Sequence, residues 1–198
     1  MRLPSERYEE IKKIICEFLA DYGVYKLPID VFELAEKMKI KIVRASEMLK
    51  KHPKKVDEYL IYALPPSYLF YSNEIQKIII YLDDVGTKIK RQRFSIAHEI
   101  THIILGHTEQ NSKNEAEANF GATYLLAPTS LALVDGAYNL LIDPNIVVDV
   151  FDVSYPEAQI ISRYFENRIK CNAEVKDYEE ELNNRFCDSL QDRLNIYR

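Results

Sequence analysis

Four histidines occur in this 198-residue chain, and three of them, His98, His102 and His107, fall within ten positions. The first two frame His98-Glu99-Ile100-Thr101-His102, an H-E-x-x-H string. Residues four apart on an α-helix lie about 40° apart around its axis, so both imidazoles project from one face and can reach one metal ion. Glu99, one step round from His98, is poorly placed as a ligand but close enough to act on a water beside the ion. Two nitrogen donors and a carboxylate base on one helix form the layout of a metal-dependent hydrolase. The flanking Phe94, Ile96, Ala97, Ile100, Ile103, Ile104 and Leu105 are apolar nearly all round, so a buried helix is expected. Ionisable side chains there need partners, because an unsatisfied buried polar group costs about 1–3 kcal/mol. A metal ion supplies one; the bland alternative is a histidine pair satisfied by backbone carbonyls.

A catalytic zinc takes three protein ligands and leaves one position open. The candidates for the third are His107, Glu109, Glu115 and Glu117. His107 falls nine residues after His98 and misses the H-E-x-x-H-x-x-G-x-x-H arrangement, which places its last histidine ten residues on. It reads better as a helix-end or supporting residue. Glu115 begins the next helix, with Asn119 one turn later on the same face, where an amide could hold the free nitrogen of a ligand histidine. Glu117 points about 200° round from Glu115 and is the alternative ligand. Glu115 is favoured.

The elements that must position these groups follow from periodicity. Glu6 to Asp21 and Val31 to Met38 read as helices, the second started by Pro28 and Asp30, and Lys39 to Arg44 alternates like a short strand. Three runs rich in Tyr, Ile and Phe, Tyr59–Leu64, Tyr68–Ser72 and Lys77–Leu82, predict a small antiparallel sheet. Thr87 is a candidate N-cap for the H-E-x-x-H helix and Gly106 its C-cap. A helix over Glu115–Leu126 stops at Pro128, and everything from Leu131 onward looks helical. The expected architecture is therefore α+β: a mainly helical domain over residues 1–170, with the sheet and site helices at about 39–128 and a helical part at 129–170. Residues 171–198 carry seven acids against four bases and read as a solvated acidic helical tail.

Composition narrows the function. The formal net charge of −5 argues against a protein built to grip nucleic acid. Three widely spaced cysteines speak against a disulfide framework and for a reducing, cytoplasmic setting. The charged N-terminus lacks an apolar signal core, and no stretch approaches the roughly 20 apolar residues of a membrane span. The basic groups Lys88, Lys90, Arg91, Arg93 and Lys50, Lys51, Lys54, Lys55 read as solvated faces. Asp143 to Asn167 superficially resembles a helix-turn-helix, but its second helix carries few bases, so pairing for the core is the better reading.

Taken together, RQRFSIAHEITHIILGH and NEAEANFGATYLLAP resemble the ImmA/IrrE family of metallopeptidases. The family pattern is an H-E-x-x-H helix, then E-x-E/Q-A-N/D-x-F-A and a run ending in L-L-x-P; Gly121 stands where Ala is usual. KLPIDVFELAEKMKIKIVR also resembles the family's opening, so the likeness reaches to about Arg168. The resemblance implies a gluzincin-like, cytoplasmic zinc peptidase with His98, His102 and Glu115 as ligands and Glu99 as base. It further implies a protein substrate, a helix-turn-helix repressor of a mobile element or stress regulon, which cleavage would inactivate as an anti-repressor does. Manganese could replace zinc in vitro. The rival reading is a metal-binding regulator that acts by binding its partner without proteolysis. The two differ at Glu99, because a structural site is closed by a fourth protein ligand.

Overall fold

The computed structural model describes residues 2–47, 67–72, 76–81 and 89–198. Helix α1 (Ser5–Asp21) carries Ile11, Ile15 and Leu19 at helical spacing, all fully buried. It leads to α2 (Val31–Lys37), whose N-cap Asp30 accepts from the amides of Phe32 and Glu33 at 2.9 and 3.2 Å. Strand β1 (Lys41–Arg44) follows, then β2 (Ser67–Ser72) and β3 (Gln76–Tyr81). Among the described residues the sheet has the order β1-β3-β2. β2 runs antiparallel to β3, with Leu69 opposite Ile79, while β1 pairs with β3 in parallel, with Val43 opposite Ile80. The sheet is thus mixed rather than wholly antiparallel, because the short strand after α2 joins its centre. The expected Tyr59–Leu64 strand, the Lys50–Lys55 group and the proposed cap Thr87 lie outside the described residues.

The sheet rests against α3 (Ile89–Ile104), the H-E-x-x-H helix, which packs along α4 (Ser112–Leu126). α4 starts a turn earlier than the apolar pattern suggested, since Asn111 caps it by accepting from the amides of Lys113 and Asn114 at 3.1 and 2.9 Å. At Gly121 the two helices pack closely. A methyl group there would sit 2.4 Å from Thr101 Cγ2 and 3.3 Å from Ile15 Cδ1. The departure from the family's alanine is therefore matched by the β-branched threonine opposite.

A 3₁₀ turn (Thr129–Leu133) and α5 (Tyr138–Leu141) lead into α6 (Pro144–Phe151), α7 (Tyr155–Lys170) and α8 (Asp177–Leu194). α6 and α7 meet at Asp152, in the left-handed conformation at φ 52°, and send Val147, Phe151, Ile161 and Phe165 into the core. Two sequence expectations change here. Arg93 is no solvated cation: it is buried, donates to the carbonyls of Ile29 and Phe151 at 3.0 and 3.3 Å, and pairs with Asp152 at 3.3 Å. Lys90 likewise reaches the Val148 carbonyl at 3.1 Å. Both brace the C-terminal end of α6, whose carbonyls attract cations.

The acidic C-terminal stretch is helical but not solvated on every side. Leu182, Phe186, Leu190 and Leu194 form a buried stripe in the same core as α1 and α4. Glu179, fully buried, takes both guanidinium nitrogens of Arg168, the Lys176 amide at 3.1 Å and the Tyr124 hydroxyl at 3.0 Å. The remaining charges line the exposed face, which is why net charge alone misdescribed this helix. Among the described residues, no helix is long and apolar enough to cross a membrane.

Candidate metal centre

α3 and α4 lie side by side, so the imidazoles of His98 and His102 on one meet the carboxylate of Glu115 in the first turn of the other. The two Nε2 atoms are 3.1 Å apart. Glu115 Oε2 lies 3.4 Å from His98 Nε2, and Oε1 lies 3.5 Å from His102 Nε2. Donors bonded tetrahedrally to one zinc at about 2.0–2.1 Å stand roughly 3.3 Å from one another. The three side chains thus have the chemistry and the mutual spacing that a divalent ion requires.

The electrostatics agree. Burial holds His98 below the usual imidazole range, against the pull of Glu115 and Asn119. Burial and its two neighbouring imidazoles bring His102 down to about 4. Both rings are therefore neutral at physiological pH, with a lone pair to offer.

Glu99 faces the same cavity, a space of about 590 Å³ also lined by His107, the loop residues Thr108–Asn111 and Glu115. Its carboxyl is buried and accepts from the Ser67 hydroxyl at 2.8 Å. Burial raises its pKa to about 7, opposed by the Ser67 hydrogen bond and assisted by the nearby charge of Glu115. Ser67, at the head of β2, was missed in the sequence, where it is one serine next to a strand with no spacing to mark it.

His107 sits where a complete C-cap puts it. Gly106, at φ 68°, lets the chain reverse; the amides of Gly106 and His107 bond back to the carbonyls of Ile103 and His102 at 3.2 and 3.0 Å. That reversal lays His107 over the helix end, with its Nδ1 2.9 Å from His102 Nδ1. The nitrogen of a ligand candidate that the geometry shows hydrogen-bonded is therefore His102's, and its partner is His107. Asn119 is exposed one turn beyond Glu115 and near enough to act on His98, whose Nδ1 is buried without a hydrogen-bond partner. Glu117 stands apart from the three-atom cluster. It is 1% exposed, 3.1 Å from His107 Nε2 and 2.5 Å from Arg7 Nη2. Glu109 is an exposed residue of the cavity rim.

Neutral imidazoles and a carboxylate converging on one point, beside a buried carboxyl with a near-neutral pKa, are a donor set suited to metal-assisted hydrolysis. Residues 35–166, two thirds of the chain, match the peptidase family described as the IrrE N-terminal-like domain (Peptidase_M78). The chain belongs to this family, the ImmA/IrrE metallopeptidases. No curated protein sequence matches it.

Proposed function

We propose that this protein is a cytoplasmic zinc-dependent endopeptidase whose His98, His102 and Glu115 hold the ion and whose Glu99 is the general base. The observation that carries the reading is the convergence of His98 Nε2, His102 Nε2 and the two Glu115 carboxylate oxygens, at 3.1–3.5 Å, on the wall of a cavity that also holds a buried, unligated carboxyl. A divalent ion bound there supplies Lewis acidity and eases deprotonation of water. Glu99 accepts a proton from the attacking water and returns it to the leaving amine. The Ser67 hydroxyl orients that carboxylate from β2. Among the described residues β2 is an edge of the sheet, so an extended substrate segment laid along it runs past Glu99. A helix-turn-helix repressor as substrate rests on the family resemblance; neither direct nucleic-acid binding nor membrane attachment is part of the reading.

The test is incubation of the protein, loaded with zinc or manganese, with the repressor encoded beside it, and mass analysis of the products. Glu99→Gln should retain the metal and lose hydrolysis; cleavage by that variant would remove Glu99 from the base role. Glu115→Ala should weaken zinc binding more than Glu117→Ala, and the reverse order would transfer the ligand role.

A further inference from the structure

We infer that Arg7, on the N-terminal helix, is a positioning residue for the metal centre, acting on His102 through the hydrogen-bonded chain Arg7–Glu117–His107–His102. The inference rests on the reading of His102 as a ligand. Arg7 lies in α1, outside residues 35–166, and nothing in the H-E-x-x-H motif points to it.

The chain is continuous. Arg7 Nη2 donates to Glu117 Oε2 at 2.5 Å; His107 Nε2 is 3.1 Å from the same oxygen; His107 Nδ1 is 2.9 Å from His102 Nδ1. Donor and acceptor capacities set its direction. An ionised Glu117 can only accept, so His107 gives it the Nε2 proton. His107 Nδ1 then accepts from the Nδ1–H of His102. That leaves the Nε2 of His102 with a bare lone pair, and this is the atom facing His98 Nε2 and Glu115 Oε1. The chain thus selects the tautomer that ligation needs and holds the ring at the angle that ligation needs.

Arg7 is the fixed end. Glu117 is 1% exposed, and its Oε1 has no hydrogen-bond partner and only an ion pair to exposed Lys113 at 3.7 Å, so the oxygen shared by Arg7 and His107 is the hydrogen-bonded end that orients the carboxylate. Arg7 is itself held by Glu10 at 2.8 Å. Ile11 and Ile15 of the same helix pack onto Gly121 of α4, one turn beyond Glu117. α1 is thereby seated on the helix that carries both Glu115 and Glu117.

The experiment uses the full chain and reads zinc affinity by competition with a chromophoric chelator. The visible absorption of the cobalt-substituted protein reports ligand geometry, and far-UV circular dichroism checks the metal-free fold. His107→Phe should weaken zinc by about 10–100-fold, and Arg7→Met by a factor at the lower end of that range with an altered cobalt spectrum. Arg7→Lys should recover most of the loss. Combining Arg7→Met with His107→Phe should weaken zinc no further than His107→Phe alone, because Arg7 acts through that ring. Losses that multiply, or an Arg7→Met protein with the parent affinity and spectrum, would overturn the inference. Should Arg7→Met not fold, Glu117→Gln decides in its place: weakened zinc supports the chain, unchanged zinc overturns it. A parent protein that binds no zinc would instead overturn the metal reading itself.

Discussion

Glu99 offers a quantitative test in the metal-free protein. Its carboxyl titrates at about 7 when folded, against 4.5 for an ordinary glutamate. The folded state therefore binds this proton more tightly than the unfolded state. The stability carried by the protonated carboxyl is fully present below pH 4.5 and lost as pH rises through 7. At about 1.4 kcal/mol for each tenfold change in proton affinity, the full swing is about 3 kcal/mol, of which about 2.5 falls between pH 5 and pH 8. Glu99→Gln removes the ionisation and keeps an oxygen for the Ser67 hydroxyl. Urea unfolding of both chelator-stripped proteins at the two pH values gives the difference directly. His98 and His102 are depressed, so their contributions run the opposite way with pH, but they occur in both proteins and cancel in the comparison. The stability of Glu99→Gln relative to the parent should rise by about 2.5 kcal/mol from pH 5 to pH 8. A difference that stays flat, or falls, refutes the claim that burial sets the proton affinity of this carboxyl.

Other outcomes follow from contacts already described. Gly121→Ala should destabilise by about 1–3 kcal/mol despite alanine's better helix propensity, because its methyl would overlap Thr101 Cγ2; adding Thr101→Ser should recover most of the loss in thermal unfolding. Ser67→Ala removes the hydrogen bond that lowers the Glu99 pKa, so the acidic limb of the pH–rate profile should move to higher pH; an unmoved limb would exclude Ser67 from the site. Arg168→Met leaves the buried Glu179 without its cation, a loss of about 3–5 kcal/mol measurable in denaturant.

What the sequence discloses and what it hides divide along physical lines. His98, Glu99 and His102 announce themselves because one helical turn brings them together, and Asp30 and Gly106 mark element ends by purely local chemistry. Glu115 required the next helix to lie alongside, which its place at the start of the expected helix, with Asn119 one turn later, suggested. Arg7 could not be read at all, because its partner Glu117 is 110 positions away. His107 reads from the sequence as a helix-end or supporting residue, but which ring it meets depends on the left-handed turn at Gly106 laying it back on the helix. The C-terminal helix was misdescribed because net charge averages two faces, and the stripe from Leu182 to Leu194 is visible only face by face. The parallel pairing of β1 with β3 is non-local and leaves no mark in either strand.

The helices at the two ends of the chain, α1 and α8, pack on each other and lie outside the family-matched stretch, yet Ile11, Ile15, Leu182 and Phe186 share one interior with the site helices. A gene fusion or recombination event that carried only residues 35–166 into a new host protein would leave two flanks of that interior open to water. Such a transplant would need surrogate helices from its host before it could hold its shape, so the heritable unit of this enzyme is wider than the stretch by which its kinship is recognised.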